Sequence, residues 1–127
     1  MRPEARHLAA TAAVLLGLGV AASAIGSHAL AGRVDADGLR RFQIATQMLM
    51  WQGLGLLALM RGAAESPPPA LVWTGVALLA GTLMFCGSVY ALAFGAPRAV
   101  AGIAPLGGLL MIGGWLVAGG LLWRRPR

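Results

Sequence analysis

The chain has 127 residues, of which 58% are apolar types and only 11% are charged. That charged share is about half of what a water-soluble domain carries, and a domain of this size has no interior large enough to hide so much apolar surface, so an ordinary soluble fold is excluded. The formal charge of +6 comes from arginine alone, with no lysine. The arginines stand at the ends of apolar runs, as headgroup anchors do, and not on one basic face, which excludes a nucleic-acid-binding module.

The first apolar run covers residues 8–32 and follows Arg2 and Arg6. A leader-type cleavage signal could be read at Ala22-Ser23-Ala24, but the apolar stretch continues past it and is expected to stay as a span. Gly19, Ser23, Ser27 and Ala31 recur every four residues along it, a spacing that puts small side chains on one helix face. The run ends in AIGSHAL, residues 24–30, where His28 is its one ionisable residue. An imidazole there is expected to form a structural hydrogen bond near the membrane boundary.

GRVDADGLRR follows, in which Asp35 or Asp37 is placed to cap a second helix. That helix enters the membrane at Phe42 and runs to Met60. Gln43 and Gln47 share one of its faces, with Thr46 and Gln52 nearby. The link RGAAESPPP is stiffened by Pro67, Pro68 and Pro69. The third run, 70–96, carries Thr82, Cys86 and Tyr90 at four-residue spacing with Ser88 beside them, and a small-residue row of Gly87, Ala91 and Gly95. A tight GAPR turn leads into the fourth run, 99–123. Pro105 falls early in that run and is expected to bend the helix or mark its first turn. Gly114 and Ala118 form a further small-residue pair. Trp73 and Trp123 stand near run ends, as interfacial tryptophans do, whereas Trp51 and Trp115 lie deeper and are expected to pack.

Each run is long enough to span a bilayer, where about 20 apolar residues suffice, and none alternates as a membrane strand would. The expected fold is all-α: a single domain, residues 1–127, forming an antiparallel bundle of four transmembrane helices at about 8–31, 39–61, 70–95 and 99–123 with short loops. With both termini on one side, that side holds Arg2, Arg6, Arg61, Arg124, Arg125 and Arg127 against Arg33, Arg40, Arg41 and Arg98 on the other. The six-to-four bias points to cytoplasmic termini in a bacterial inner membrane.

Intramembrane chemistry usually needs ionisable groups inside the bundle. All four acids, Glu4, Asp35, Asp37 and Glu65, lie in tails or links. His7 and His28 stand at opposite ends of one helix, roughly 30 Å apart at its ordinary rise, so they cannot share a haem. No nucleophile–base motif, P-loop or metal-binding spacing is present, and the lone Cys86 cannot form an intrachain disulfide. The expectation is a non-enzymatic chain with no cofactor and no metal. Its mild polar residues, His28, Gln52, Cys86, Ser88 and Tyr90, form a candidate polar cluster.

Three stretches carry a family likeness. AIGSHAL (24–30), GTLMFCGSVYALAF (81–94) and IAPLGGLLMIGGW (103–115) resemble, in order and spacing, the motifs of the domain of unknown function 423 family of small membrane proteins. The resemblance places Gly26, His28, Phe85, Gly87, Ser88, Tyr90, Pro105, Gly107, Gly108, Gly114 and Trp115 at motif positions. It implies four spanning helices and no established activity. The chain departs from the family pattern in helix two, where Met48 and Leu49 replace Tyr-Gln and Gln52 takes the place of a histidine. Cys86 stands where serine is usual and Ala104 where threonine is. A metal-binding pair of histidines would have lost one member here, whereas a hydrogen-bonded His28–Gln52 pair would survive, since an amide both donates and accepts. The leading functional expectation is an interaction or accessory subunit, its partners being the lipid bilayer, other membrane proteins or a second copy of itself. The alternative is a small-solute transporter or channel lined by the polar face of helix three.

Overall fold

The computed structural model describes residues 2–63 and 65–125; Arg127, counted above among the arginines on the side of the termini, lies outside them. Four long helices account for most of the chain: α1 (Pro3–His28), α2 (Ala36–Gly62), α3 (Pro69–Ala93) and α4 (Ile103–Trp123), the last preceded by a 3-10 turn at Arg98–Gly102. No strand is present among the described residues. Three helices are long and apolar enough to cross a membrane: α1, α3, and α4 with its 3-10 lead-in. The second helix has the length, but its glutamines and flanking arginines lower its mean hydropathy.

The helix bounds differ from the apolar runs because hydropathy marks what lipid can cover, whereas caps mark where a helix starts. Pro3 opens α1 five residues before the apolar run, at a position where its missing N–H is not needed. Asp35 sets the start of α2 by accepting from the Gly38 N–H at 2.6 Å. The stop of α3 lies at Gly95, whose φ of +90° suits glycine. There the Ala96 N–H bonds the Ala91 carbonyl at 3.0 Å and the Gly95 N–H bonds that of Leu92 at 3.1 Å, closing the helix end. Pro105 is the third residue of α4, directly after the 3-10 turn. Its missing donor thus falls in the first turn and leaves the rest of the helix unbroken.

The helices pack in chain order. α1 lies on α2, α2 on α3 and α3 on α4, and no Cα of α4 comes within 8 Å of one in α1 or α2. The contacts run in opposite sequence directions across each seam. Gly53 of α2 lies against Ala12 and Leu16 while Gly26 of α1 lies against Phe42; Gly114 of α4 lies against Leu78 while Gly107 lies against Phe85. All four helices converge at the end that carries the termini. Ala5, Leu8 and Ala12 of α1, Leu56 and Met60 of α2, Leu71 and Leu78 of α3, and Ala118 of α4 form one buried cluster there. At the opposite end a smaller cluster of Leu30, Phe42 and Ala93 closes the core. The Phe42 ring packs edge-on against Tyr90 and Phe94, with centroid separations of 5.0 and 5.9 Å.

The small-residue rows behave unequally. Gly114 and Ala118 are buried against α3, as the spacing suggests. Of the first row only Gly19 is buried, against Met50; Ser23 is exposed but touches the Met50 sulfur at 3.7 Å, Ser27 is exposed, and Ala31 lies beyond the end of α1. Gly87 and Gly95 face open space. Four-residue spacing tells which residues share a face, but not which face meets a neighbour. Trp115 packs as expected. Trp51 does not: it is 65% exposed, because α2 turns Leu49, Gly53 and Leu56 toward its neighbours.

The tightest seam is between α3 and α4. A Cβ on Gly107 would fall 2.6 Å from the Phe85 nitrogen and 2.7 Å from the Gly81 carbonyl oxygen, while one on the adjacent Gly108 would meet nothing within 4 Å. Gly107→Ala should therefore destabilise the protein by about 1–3 kcal/mol, since backbone cannot yield as a side chain can. Gly108→Ala should be neutral or stabilising by up to about 1 kcal/mol, the helix-propensity gain. Unfolding of each variant in mild detergent, followed by circular dichroism, checks the opposite signs.

Candidate functional site

The polar residues of the interior resolve into separate links between helices. On the α2–α3 seam, Thr46 donates its hydroxyl proton to the Phe42 carbonyl at 2.9 Å. With that proton committed, the Tyr90 hydroxyl is the donor in its 2.6 Å contact with Thr46 Oγ1. One turn away, the buried Cys86 Sγ donates to the Ala45 carbonyl at 3.4 Å. Ser88 and Thr82 turn back onto their own helix, bonding the carbonyls of Phe85 at 2.9 Å and Leu78 at 2.7 Å. Such back-bonding is the usual fate of hydroxyls in spanning helices.

A second link joins α2 to α4. The indole Nε1–H of Trp115 donates to Gln52 Oε1 at 2.8 Å, and the Gln52 amide in turn lies 3.8 Å from Met48 Sδ. The same ring fills the space over Gly55, where a Cβ would stand 2.7 Å from it. Gln52 and Trp115 thus bridge two helices whose backbones stay apart.

His28 is not Gln52's partner. It is the last residue of α1 and exposed, at the opposite end of the molecule from the terminal core. Gln52 sits a further 10 residues into α2 than Phe42, the residue that packs near this end, roughly 15 Å deeper at the ordinary rise. The imidazole joins none of the interior links. At the C-terminus of a helix it suits the partial negative charge there when protonated. The parts of AIGSHAL that pack are Gly26 and Leu30. Gly26 seats the Phe42 ring, whose nearest carbon would be 3.1 Å from a Cβ, and Leu30 is buried beside it. The five members of the sequence-derived polar cluster therefore occupy different places: Tyr90 and Cys86 on the α2–α3 seam, Gln52 on the α2–α4 bridge, Ser88 on its own backbone and His28 at the surface.

The polar feature that the cluster omitted is a groove along the α1–α2 seam. A cavity of about 540 Å³ is lined by Ser23 and Ser27 of α1 and by Arg40, Gln43, Gln47 and Met50 of α2, among others. A second hollow of about 330 Å³, bounded by Leu16, Trp51 and Leu54, adjoins it at Gln47 and Met50. The signal was available in sequence: Gln43 and Gln47 fall between the buried positions Phe42, Ala45, Thr46 and Leu49, so they must point away from the core.

Chemically, this arrangement holds helices together. Every buried side-chain nitrogen and oxygen among the described residues has a partner, and among them no group of three His, Cys, Asp or Glu residues is placed to hold a metal ion. The Gln52–Trp115 bond should show as a coupling of about 0.6–1.5 kcal/mol in a double-mutant cycle of Gln52→Leu and Trp115→Phe, the range for interhelical hydrogen bonds in membranes. Gln52→His, which keeps an acceptor, should retain most of it. Unfolding of the four cycle members and the His variant by titrated dodecyl sulfate measures both; a coupling of zero would remove the bridge from the list of stabilising contacts.

Comparison with known proteins agrees with the motifs. Residues 22–108 match the family described as Protein of unknown function (DUF423). A UPF0382 membrane protein of Staphylococcus saprophyticus is 38% identical over 94 residues, covering 73% of this chain and 77% of the relative. Those of Staphylococcus epidermidis and Staphylococcus haemolyticus are 37% and 35% identical over 94 residues, each covering 73% of this chain and 75% of the relative. No solved structure gives a significant match. With more than half its length inside the matched region and three helices suited to a bilayer, this chain is a membrane protein that belongs to the family of unknown function DUF423.

Proposed function

We propose that the chain spans the bacterial inner membrane four times as antiparallel helices, with both termini in the cytoplasm, and serves as an interaction or accessory subunit and not as an enzyme. Short links at Phe94–Pro97 and Ala29–Asp35 and the opposed direction of contacts on each seam support the four-span arrangement. The arginine bias supports the orientation.

One observation carries the interaction reading. The backbone of α4 approaches that of α3 alone, its reach to α2 being the Trp115 side chain, and only 17% of its most apolar stretch is buried, against 39% for α3. Its outer surface combines exposed Leu109, Leu116 and Val117 with Gly113 and Gly120, two glycines seven residues apart that touch nothing. Glycines on one helix face permit close backbone approach by another helix, and this fold leaves that approach unused. The alternative, a solute path along α3, is less well supported. Thr82, Cys86 and Tyr90 are engaged with Leu78, Ala45 and Thr46, so their polar atoms line helix seams.

Native mass spectrometry from nanodiscs tests the reading. A stoichiometric assembly, with itself or with another membrane protein, is expected, and Gly113→Leu with Gly120→Leu should weaken it at least about tenfold, the cost of blocking a close helix contact of ~1.4 kcal/mol or more. Both substitutions point into open space, so the fold itself should be unaffected. A strictly monomeric chain, or an assembly indifferent to both changes, would overturn the proposal.

A further inference from the structure

The groove between α1 and α2 has an uneven composition along its length. At the loop end it is lined by Arg40, Gln43 and Gln47 of α2 and by Ser23 and Ser27 of α1, whose hydroxyls are engaged with the Met50 sulfur and the Ser23 carbonyl. Deeper in, the lining changes to Leu16, Met50, Trp51 and Leu54. Gln47 and Met50 line both parts, so the two hollows adjoin, with Met50 seated on Gly19 and Ser23 between them. From Arg40 to Leu54 they extend together about 21 Å along α2 at the ordinary helical rise. That is close to a headgroup plus the ~15 Å hydrocarbon depth of one leaflet.

The two glutamines sharpen the question of what fills it. Both are exposed, and the side-chain hydrogen bonds of α2 run through Asp35, Thr46 and Gln52 without them. An amide left against hydrocarbon loses its hydrogen bonds with no compensation. A covering molecule must therefore offer acceptors at the level of Gln43 and Gln47, an anion near Arg40, and hydrocarbon beside Met50, Trp51 and Leu54. Guanidinium pairs with phosphate through parallel N–H bonds, and primary amides donate well to ester carbonyls.

We propose that this groove binds one glycerophospholipid, with its phosphate at Arg40, its ester carbonyls at Gln43 and Gln47, and an acyl chain along Leu16, Trp51 and Leu54. A second copy of the chain would meet the glutamines but would bring no anion to Arg40 unless Asp35 or Asp37 of that copy reached it. The lipid satisfies all three levels at once. The site is independent of the α4 face on which the interaction reading rests.

The test uses the full chain purified in mild detergent, with native mass spectrometry against three probes. Dioleoyl phosphatidylglycerol carries phosphate and tails, dioleoylglycerol lacks the phosphate, and glycerol 3-phosphate lacks the tails. One phosphatidylglycerol per chain should be retained, at least about tenfold more tightly than dioleoylglycerol, as expected for a charge-assisted contact. Arg40→Gln should reduce it to the dioleoylglycerol level, and the paired change Gln43→Leu and Gln47→Leu should weaken it about tenfold or more. Arg98→Gln, at the neighbouring turn, should change nothing. Circular dichroism of each variant verifies the fold. A photoreactive phosphatidylglycerol with its reactive group in the acyl chain should label α1 and α2 near Leu16 and Leu54. Retention unchanged in Arg40→Gln, displacement by glycerol 3-phosphate, labelling confined to α3 and α4, or a second chain in place of the lipid would each overturn the proposal.

Discussion

In hydrocarbon, a helix gains little by covering one leucine with another, since the lipid tails it leaves are just as apolar. Helices in this setting are held by close backbone contact and by polar groups that find no water, and both meet on α3. Its backbone at Gly81 and Phe85 receives Gly107 of α4 at a distance that no side chain could share. Its opposite side presents Cys86 and Tyr90 to α2, and its first turns touch α1 through Gly75 and Leu8. α3 is the one helix whose backbone comes within 8 Å of all the others. Moving it by even a methyl radius would disturb its seam with each of them.

That dependence produces a lopsided molecule. Toward the termini the four helices share one core, where alanines on α1 let α2 and α3 come close. Toward the loops Phe42 of α2 is the wedge between Gly26 of α1 and the aromatic pair Tyr90 and Phe94. The groove opens beside that wedge. Its polar lining follows from the same division of labour: α2 turns Thr46 inward to meet Tyr90, and Gln43 and Gln47 are what remains on the other side.

Much of this architecture was legible in the residues. Four long apolar runs with short, polar or proline-rich links were enough for four helices, and Asp35 announced the start of the second. What could not be read was direction around each helix. The row Gly19, Ser23, Ser27, Ala31 looked like a packing face, yet only Gly19 is buried and only Gly19 and Ser23 meet Met50 of α2, and the helix ends at His28 before the row is complete. Trp51 looked like core and Trp115 is core; depth along a run was the same evidence for both, and only the fold distinguishes them. The pairing of Gln52 with Trp115 joins residues 63 positions apart in sequence, and neither carries a local mark of the other. His28 misled for a related reason. A conspicuous side chain in an apolar stretch drew attention from Gly26, the smallest residue in the motif, which holds the more constrained position.

The order of packing also bears on how such a chain is made. Each helix finds its principal neighbour in the one synthesised immediately before it: α2 on α1, α3 on α2, α4 on α3. No helix has to wait in the bilayer for a distant partner, and no late segment has to thread between two that are already joined. The sequence separations across each seam are short, which is the condition for rapid and local assembly. The protein can therefore be completed hairpin by hairpin as it leaves the ribosome. Its last helix arrives at a surface already complete, secured by one buried row from Gly107 to Ala118 and by the reach of Trp115 to Gln52.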